Sequence, residues 1–130
     1  MVDDVTVTSR SREQLINVDG VLRDFVSRSG VQEGVLTVFV PHTTAGVTIN
    51  ENADPTVVQD LLAKARELVP HKGGYRHAEG NSDAHIKASL FGSYQSVIVS
   101  GGKPLLGTWQ SVFFCEFDGP RSRRMILRIG

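Results

Sequence analysis

Apolar residues alternate with polar ones in some parts of the chain and recur every three or four positions in others, and these spacings predict its strands and helices. Residues 5–8 alternate valine with threonine, which is typical of a half-buried strand. The spacing of Ser11 and Gln14 is that of a capping box, and it predicts a helix that follows and ends at Gly30. The apolar positions on one face of this helix are Leu15, Val18, Leu22, Phe25 and Val26.

Five further segments have the patterns of strands. The run 35–40 is almost entirely apolar, which is typical of a strand covered on both faces, and 45–49 either extends it or forms another strand. In the last third, the segments 94–100, 108–118 and 123–129 are rich in strand-forming residues and are separated by glycine-containing turns. Because short turns join antiparallel neighbours, we expect these three strands to form a meander.

Two more helices are predicted in the middle of the chain. Asp54 and Pro55 are a cap acceptor followed by a proline suited to the first helical position, and an apolar stripe continues to Pro70. Residues 71–81 hold three glycines and no periodicity, so they are predicted to form a loop. A shorter helix is expected over 82–91.

Length and composition indicate a single folded domain. The chain has 130 residues, of which 40% are hydrophobic and 22% are charged, so it can bury a core. With the predicted elements, this indicates one α+β domain over residues 1–130, an antiparallel sheet with helices packed on one side. Lys+Arg and Asp+Glu are balanced at 14 each, which argues against a protein that binds nucleic acid or a membrane surface.

Cysteine content and the N-terminal residues bear on the cellular compartment. Cys115 is the single cysteine, so an internal disulfide is impossible and a reducing compartment fits. The acidic N-terminus lacks the apolar segment of a signal peptide, and no apolar run approaches the roughly 20 residues that span a bilayer. We therefore expect a cytoplasmic protein.

Polar residues follow the apolar run 35–40. His42, Thr43 and Thr44 come directly after it, where a rigid strand holds side chains that still reach solvent. A histidine there can bind a metal or move a proton near neutral pH. Alternatively, His42 and the threonines satisfy backbone groups in a turn, and the sequence leaves both interpretations open.

A second polar group precedes the helix that begins at Pro55. Asp54 is most simply the helix cap, whereas Asn50, Glu51 and Asn52 have no structural duty that the sequence reveals. Backbone N–H groups at a helix N-terminus favour anions. These three residues are therefore either site residues or part of a polar loop.

Two histidines flank the start of the helix predicted over 82–91. His77 lies in the preceding loop and His85 in the first turn, where a neutral imidazole is favoured. Together with His42 they could supply the three protein ligands of a catalytic zinc site, although their spacing is no known zinc signature. Solvent-exposed histidines are the alternative.

Strand alternation separates two faces of the segment 108–118. Gln110 and Glu116 share one face, where a carboxylate beside apolar neighbours needs a partner such as an arginine. Trp109 and Cys115 fall on the other face, which is mostly apolar and is predicted to face the core. Next along the chain, Arg121, Arg123 and Arg124 crowd a turn, which suits binding of phosphate or carboxylate and equally suits salt bridges across a subunit interface.

These segments, taken together, resemble the YjbQ-like family of small bacterial and archaeal proteins, described as secondary thiamine-phosphate synthases. Each motif alone is weak, but all occur in the family's order from about Val35 onward. The matching residues are His42-Thr43-Thr44-Ala45-Gly46, Asn50-Glu51-Asn52 with Asp54, Asn81, Ala84-His85, Leu106-Gly107-Thr108-Trp109-Gln110 and Glu116-Phe117-Asp118-Gly119-Pro120-Arg121.

The resemblance implies an α+β fold and a homotrimer with sites near subunit boundaries. It implies that His42, His77 and His85 hold a metal, zinc in relatives. It also implies a weak ability to join a pyrimidine diphosphate to a thiazole phosphate, which gives thiamine phosphate and pyrophosphate.

The implied substrates define the expected roles, because both carry phosphate. The residues predicted to bind substrate are Thr43, Thr44, Asn50, Asn52, Asn81, Gln110, Arg121 and Arg123. The residues predicted to act in catalysis, as a base or by orienting a group, are His85, Glu51 and Glu116. The alternative is a trimeric protein that binds a metal or a phosphorylated metabolite without turnover.

Overall fold

The computed structural model describes residues 1–130 as eight strands and three helices, which confirms the predicted α+β class. The strands are β1 (Val2–Thr8), β2 (Gln14–Asn17), β3 (Gly34–Phe39), β4 (Ala45–Glu51), β5 (Tyr94–Ser100), β6 (Lys103–Pro104), β7 (Gln110–Glu116) and β8 (Ser122–Ile129). The helices are α1 (Asp19–Ser29), α2 (Pro55–Leu68) and α3 (Ser82–Phe91). None of the three helices is both long enough and apolar enough to cross a membrane.

The strands form two antiparallel sheets with a shared core. One sheet has the order β1-β8-β3-β5-β6 and the other has the order β2-β7-β4. Alternate residues of β7 serve two apolar clusters: Val112 and Phe114 join the larger core, together with α1 and the five-stranded sheet. Phe113 and Cys115 point to the opposite side, where α2 and α3 cover the three-stranded sheet. Both faces of β7 are therefore buried, because each sheet face can bury an apolar row.

The segment after residue 11 is a strand where the capping-box spacing predicted a helix. Residues 14–17 pair with 113–116 of β7, and α1 begins only at Asp19. Leu15 therefore belongs to the cluster beneath α2 and α3 and not to a helical stripe. A tertiary interaction favours the strand over the helix, because pairing of residues 14–17 with β7 satisfies backbone groups that would otherwise be unpaired at the edge of β7.

The expected meander of the last three strands is also wrong. β5 pairs with β3 and β6, β7 lies in the other sheet, and β8 inserts between β1 and β3. Two burial predictions change with this arrangement: Phe39 of β3 is 42% exposed and Trp109 is 64% exposed. One face of β3 is thus exposed in the single chain. Trp109 lies just before β7 and is also exposed, although the later residues on its predicted face, such as Cys115, are buried.

The predicted helices over 55–69 and 82–91 are confirmed, and α3 is held close to β4. Asp54 caps α2 by accepting a hydrogen bond from the Thr56 N–H at 2.9 Å. A Cβ at Gly46 would lie 2.6 Å from the carbonyl oxygen of Gly92, so only glycine allows β4 to approach the end of α3 this closely. The approach brings the residues before β4 next to one side of α3.

Candidate functional site

A polar groove lies where the loop between β3 and β4, the N-terminus of α3 and the turn between β7 and β8 meet. It has a volume of about 620 Å³. The predicted site residues that line it are His42, Thr43, Thr44, Asn81, His85, Arg121 and Arg123. A second groove of about 980 Å³ adjoins it through His42, Thr43, His85 and Ser93 and continues past Phe91 and Tyr94.

The floor of the groove is a buried ion pair. The guanidinium of Arg123 donates from Nε to Oε1 of Glu116 at 2.9 Å and from Nη2 to Oε2 at 2.5 Å, and the two side chains are 4% and 0% exposed. Nη2 also donates to the hydroxyl of Thr44 at 2.8 Å. This confirms the expectation that Glu116 needs an arginine partner, and it makes Thr44 part of the same buried network.

Two further donors complete the shell around the carboxylate of Glu116. The hydroxyl of Ser9 donates to Oε1 at 2.7 Å, and the backbone N–H of Asp118 donates to Oε2 at 3.0 Å. Burial raises the pKa of Glu116, but the hydrogen bonds from Arg123, Ser9 and Asp118 outweigh it and lower the pKa. A fully engaged carboxylate of low pKa is a weak base, so the geometry suits Glu116 for holding Arg123.

His42 is fixed as a neutral hydrogen-bond donor on the rim of the groove. Its Nε2 accepts the backbone N–H of Arg124 at 3.0 Å, so the proton of the neutral ring sits on Nδ1. Partial burial lowers the pKa of His42, and the nearby charge of Arg123 lowers it further. The ring therefore offers Nδ1–H to a ligand near neutral pH.

We expect stability to fall with acidification partly through His42. Its pKa is lower in the folded chain than in the unfolded chain, so the unfolded chain binds more protons as the pH drops through the usual histidine pKa of about 6.5. Urea unfolding at pH 7.5 and pH 5.5 should show a smaller loss of free energy of unfolding for His42→Gln than for the wild type. Equal losses in both proteins would contradict this account.

The three histidines predicted as metal ligands are not arranged as a three-ligand set. The rings of His77 and His85 contact each other edge to face, with centroids 5.4 Å apart. Neither nitrogen of His42 presents a free lone pair to a metal, since that of Nε2 accepts a hydrogen bond and Nδ1 carries the proton. No group of three or more His, Cys, Asp or Glu side chains in the chain is placed to hold a metal ion. The donors as arranged do not fit a three-histidine zinc site.

The wall between α3 and the β7–β8 turn is held by Asn81 and Asp118. Nδ2 of Asn81 donates to Oδ2 of Asp118 at 2.9 Å, and the guanidinium of Arg121 donates to Asp118 at the carbonyl oxygen and at Oδ2. Oδ1 of Asn81 is buried and accepts no hydrogen bond within the chain. A buried acceptor without a donor is unfavourable by about 1–3 kcal/mol.

Five predicted site residues belong to neither the lining nor the floor of the groove. His77, in the loop before α3, contacts the ring of His85, and the other four lie at the far end of β4. β4 runs from Ala45, opposite Glu116, to Glu51, opposite Gln110, so about 20 Å of strand separates its ends. The residues at the far end are Asn50, Glu51, Asn52 and Gln110. Oδ1 of Asn50 accepts the N–H of Glu51, and Oε1 of Gln110 accepts the N–H of Gly107. Within one chain the expected single site is therefore divided into two groups.

Sequence reasoning gave no role to Ser9 or Asp118, although both hold the groove together. Asp118 lies in the quoted Glu116–Arg121 motif, so its place beside a glycine and a proline was the available signal. Ser9 carries no such signal, because its contacts are with residues 107 and 112 positions away.

The fold and the groove define a small α+β protein with one polar groove lined from three segments of the chain. The chain belongs to the YjbQ-like UPF0047 family, whose model matches residues 3–130. It is 49% identical over 123 residues to a UPF0047 protein of Methanocaldococcus jannaschii, which covers 95% of this chain and 89% of that one. It is 42% identical over 130 residues to the UPF0047 protein YugU of Bacillus subtilis, with 99% and 98% covered.

Solved structures agree with this assignment. A crystal structure of an uncharacterised YjbQ/UPF0047 protein from Clostridium acetobutylicum has a TM-score of 0.97 and 48% sequence identity, covering 98% of this chain and 99% of that one. A YjbQ-like protein of unknown function from Sulfolobus solfataricus has a TM-score of 0.95 at 30% identity, with 99% and 95% covered.

Proposed function

We propose that the groove binds phosphorylated small molecules and that the protein joins a pyrimidine diphosphate to a thiazole phosphate, as a secondary thiamine-phosphate synthase activity. One observation supports this most: residues from three separate segments, represented by His42, His85 and Arg121, line one groove of about 620 Å³. Pockets of this size hold small metabolites, and a few convergent polar groups fix their orientation.

The chemistry of this transfer matches the groups available. The ring nitrogen of the thiazole attacks the methylene carbon of the pyrimidine diphosphate, so a C–N bond forms. The C–O bond to the diphosphate breaks, and pyrophosphate leaves with the bonding electrons. The attacking nitrogen uses its lone pair and loses no proton, so this step needs no general base. The requirement is stabilisation of negative charge on the departing pyrophosphate.

Three side chains are suited to that charge and to the substrate. Arg121 is about half exposed, and its Nη1 has no partner within the chain, so it can bind a phosphate oxygen. His42 offers Nδ1–H, and the ring nitrogens of His85 make no hydrogen bond within the chain and are available to protonate or hydrogen-bond the leaving group.

The test is formation of thiamine phosphate from the two substrates, together with calorimetric binding of inorganic pyrophosphate. We expect Arg121→Gln to lower both turnover and pyrophosphate affinity about tenfold or more, because a charged hydrogen bond is lost. Arg124→Gln is the matched control, since Arg124 is exposed, pairs with Asp4 and does not line the groove. Absence of product and of pyrophosphate binding in the wild type would refute the proposal.

A second candidate is binding of a phosphorylated metabolite without turnover. It requires only a phosphate contact such as that of Arg121, and it gives no role to the carboxylates predicted to act in catalysis, since Glu116 is fully engaged by Arg123 and Glu51 lies at the far end of β4. This function predicts that pyrophosphate binds but that no thiamine phosphate forms.

Running the assay with and without zinc tests whether the histidines bind a metal. Strict dependence of turnover on zinc would contradict the role of His42 as a hydrogen-bond donor.

The proposal includes a homotrimer with each groove near a subunit boundary. Exposed apolar side chains on the outer face of β3 and β5 support it, namely Val35, Phe39, Tyr94 and Ile98. Phe39 and Tyr94 also border the two grooves, so a neighbouring chain on this face would lie beside the site. Light scattering of the purified protein decides the point, and a monomer would contradict it.

A further inference from the structure

A buried network of charges lies beside the groove, outside the residues discussed so far. The side chains of Asp83 and Lys87 on α3 are 0% and 1% exposed, and that of Glu13 before β2 is 8% exposed. Nζ of Lys87 donates to Glu13 at 2.9 Å and to Asp83 at 3.0 Å, and Arg66 of α2 pairs with Glu13 at 2.8 Å. Such a network restrains the elements that carry its members.

Arg12 joins this network to both walls of the groove. Its Nη1 and Nη2 donate to the two carboxylate oxygens of Asp83, each at 3.0 Å, which is a bidentate contact with the first turn of α3. Its carbonyl oxygen accepts the N–H of Gly119 at 2.9 Å, in the turn between β7 and β8. One residue thus contacts both α3, which has Asn81 as its N-cap and carries His85, and the turn that carries Asp118.

We infer that Arg12 is a positioning residue that sets the distance between the α3 wall and the β7–β8 turn. The use of this distance in catalysis rests on the proposed function. The hydrogen bond from Asn81 to Asp118 joins the same two walls, so it forms only when the distance between α3 and the β7–β8 turn is correct. The turn is also packed tightly against residues 9–12, since a Cβ at Gly119 would collide with the carbonyl oxygen of Ser11.

The ionisation of Asp83 agrees with this role. Burial raises the pKa of its carboxyl group, but the hydrogen bonds from Arg12 and Lys87 outweigh burial and hold the pKa at about 2. Asp83 is therefore charged at neutral pH, and its contact with Arg12 is a bidentate ion pair. The substitution Arg12→Lys would keep the positive charge but lose the bidentate geometry, so it would preserve the contact only in part.

The variant Arg12→Gln isolates this contact without leaving a buried charge alone. Asp83 keeps Lys87 as its partner, and the backbone contact to Gly119 remains, so the fold should be retained. Arg66→Gln is the matched control, because Arg66 belongs to the same network but contacts neither wall of the groove. Urea unfolding should show a larger stability loss for Arg12→Gln than for Arg66→Gln, because Arg12 pairs with the fully buried carboxylate of Asp83 whereas Arg66 is about half exposed.

The decisive readout is the side-chain amide of Asn81 in the NMR spectrum, alongside turnover. In Arg12→Gln we expect the amide resonance to shift and its hydrogens to exchange faster, with kcat lowered about tenfold or more and KM changed less, because misplaced groups lose alignment. Arg66→Gln should leave both unchanged, and Arg12→Lys should restore them in part. An Asn81 amide unaltered in Arg12→Gln would overturn the inference. If the wild type forms no product, the proposed activity fails while the Asn81 amide still decides the role of Arg12.

Discussion

Replacing Arg123 with methionine is expected to lower the free energy of unfolding by about 3–5 kcal/mol, because it removes one partner of a buried ion pair. Glu116 would keep the hydroxyl of Ser9 and the N–H of Asp118 but would have no opposite charge. Urea unfolding at neutral pH and fixed protein concentration measures the loss. Arg124→Met is the matched control, since the pair of Arg124 with Asp4 is exposed and should contribute about 1 kcal/mol or less.

The pH dependence of this loss identifies its cause. The pKa of Glu116 is lowered in the folded wild type, so the carboxylate contributes stability that is present above its unfolded pKa and lost as the pH falls. The difference in free energy of unfolding between wild type and Arg123→Met should therefore narrow as the pH falls below about 4.3, where Glu116 of the unfolded chain takes up a proton. Combining Arg123→Met with Glu116→Gln should recover part of the loss at neutral pH. A loss no larger than that of Arg124→Met would show that the pair contributes little.

Replacing His85 with alanine is expected to lower formation of thiamine phosphate on the order of 100-fold or more while the fold is retained. The imidazole lines both grooves and its ring nitrogens have no partner within the chain, so in the proposed reaction it can donate a hydrogen bond to the departing pyrophosphate. Alanine suits the helix in which residue 85 lies, so circular dichroism and the thermal midpoint should change little.

The matched control for His85 is His71→Ala. His71 is exposed, lies outside both grooves and contacts only the carbonyl oxygen of Gly80 through its ring. Its loss should leave turnover within about threefold of the wild type, because no group that meets substrate is changed. Retention of activity in His85→Ala at the level of His71→Ala would remove His85 from the mechanism.

The sequence by itself determined those parts of the fold that depend on residues close together in the chain. The helix after Asp54 followed from a cap and a proline, and its cap contact to Thr56 spans two residues. The turn glycines Gly30 and Gly101 followed from their position after periodic segments, and both have positive φ. The burial of Cys115 followed from strand alternation, and burial does raise the pKa of its thiol.

Only tertiary structure decided which strands pair and which polar residues meet. Residues 14–17 have no strong preference of their own, and they became a strand because β7 offered an unpaired edge. The sequence grouped Glu51 and Gln110 with His42. These two residues face each other at one end of β4, whereas His42 precedes the other end, and the length of β4 separates its ends by about 20 Å. Arg12 and Ser9 gave no local signal, because their partners lie 71 or more positions away. The sequence thus identifies most of the polar residues that line the groove, whereas the packing of the two sheets and α3 decides that these side chains lie together.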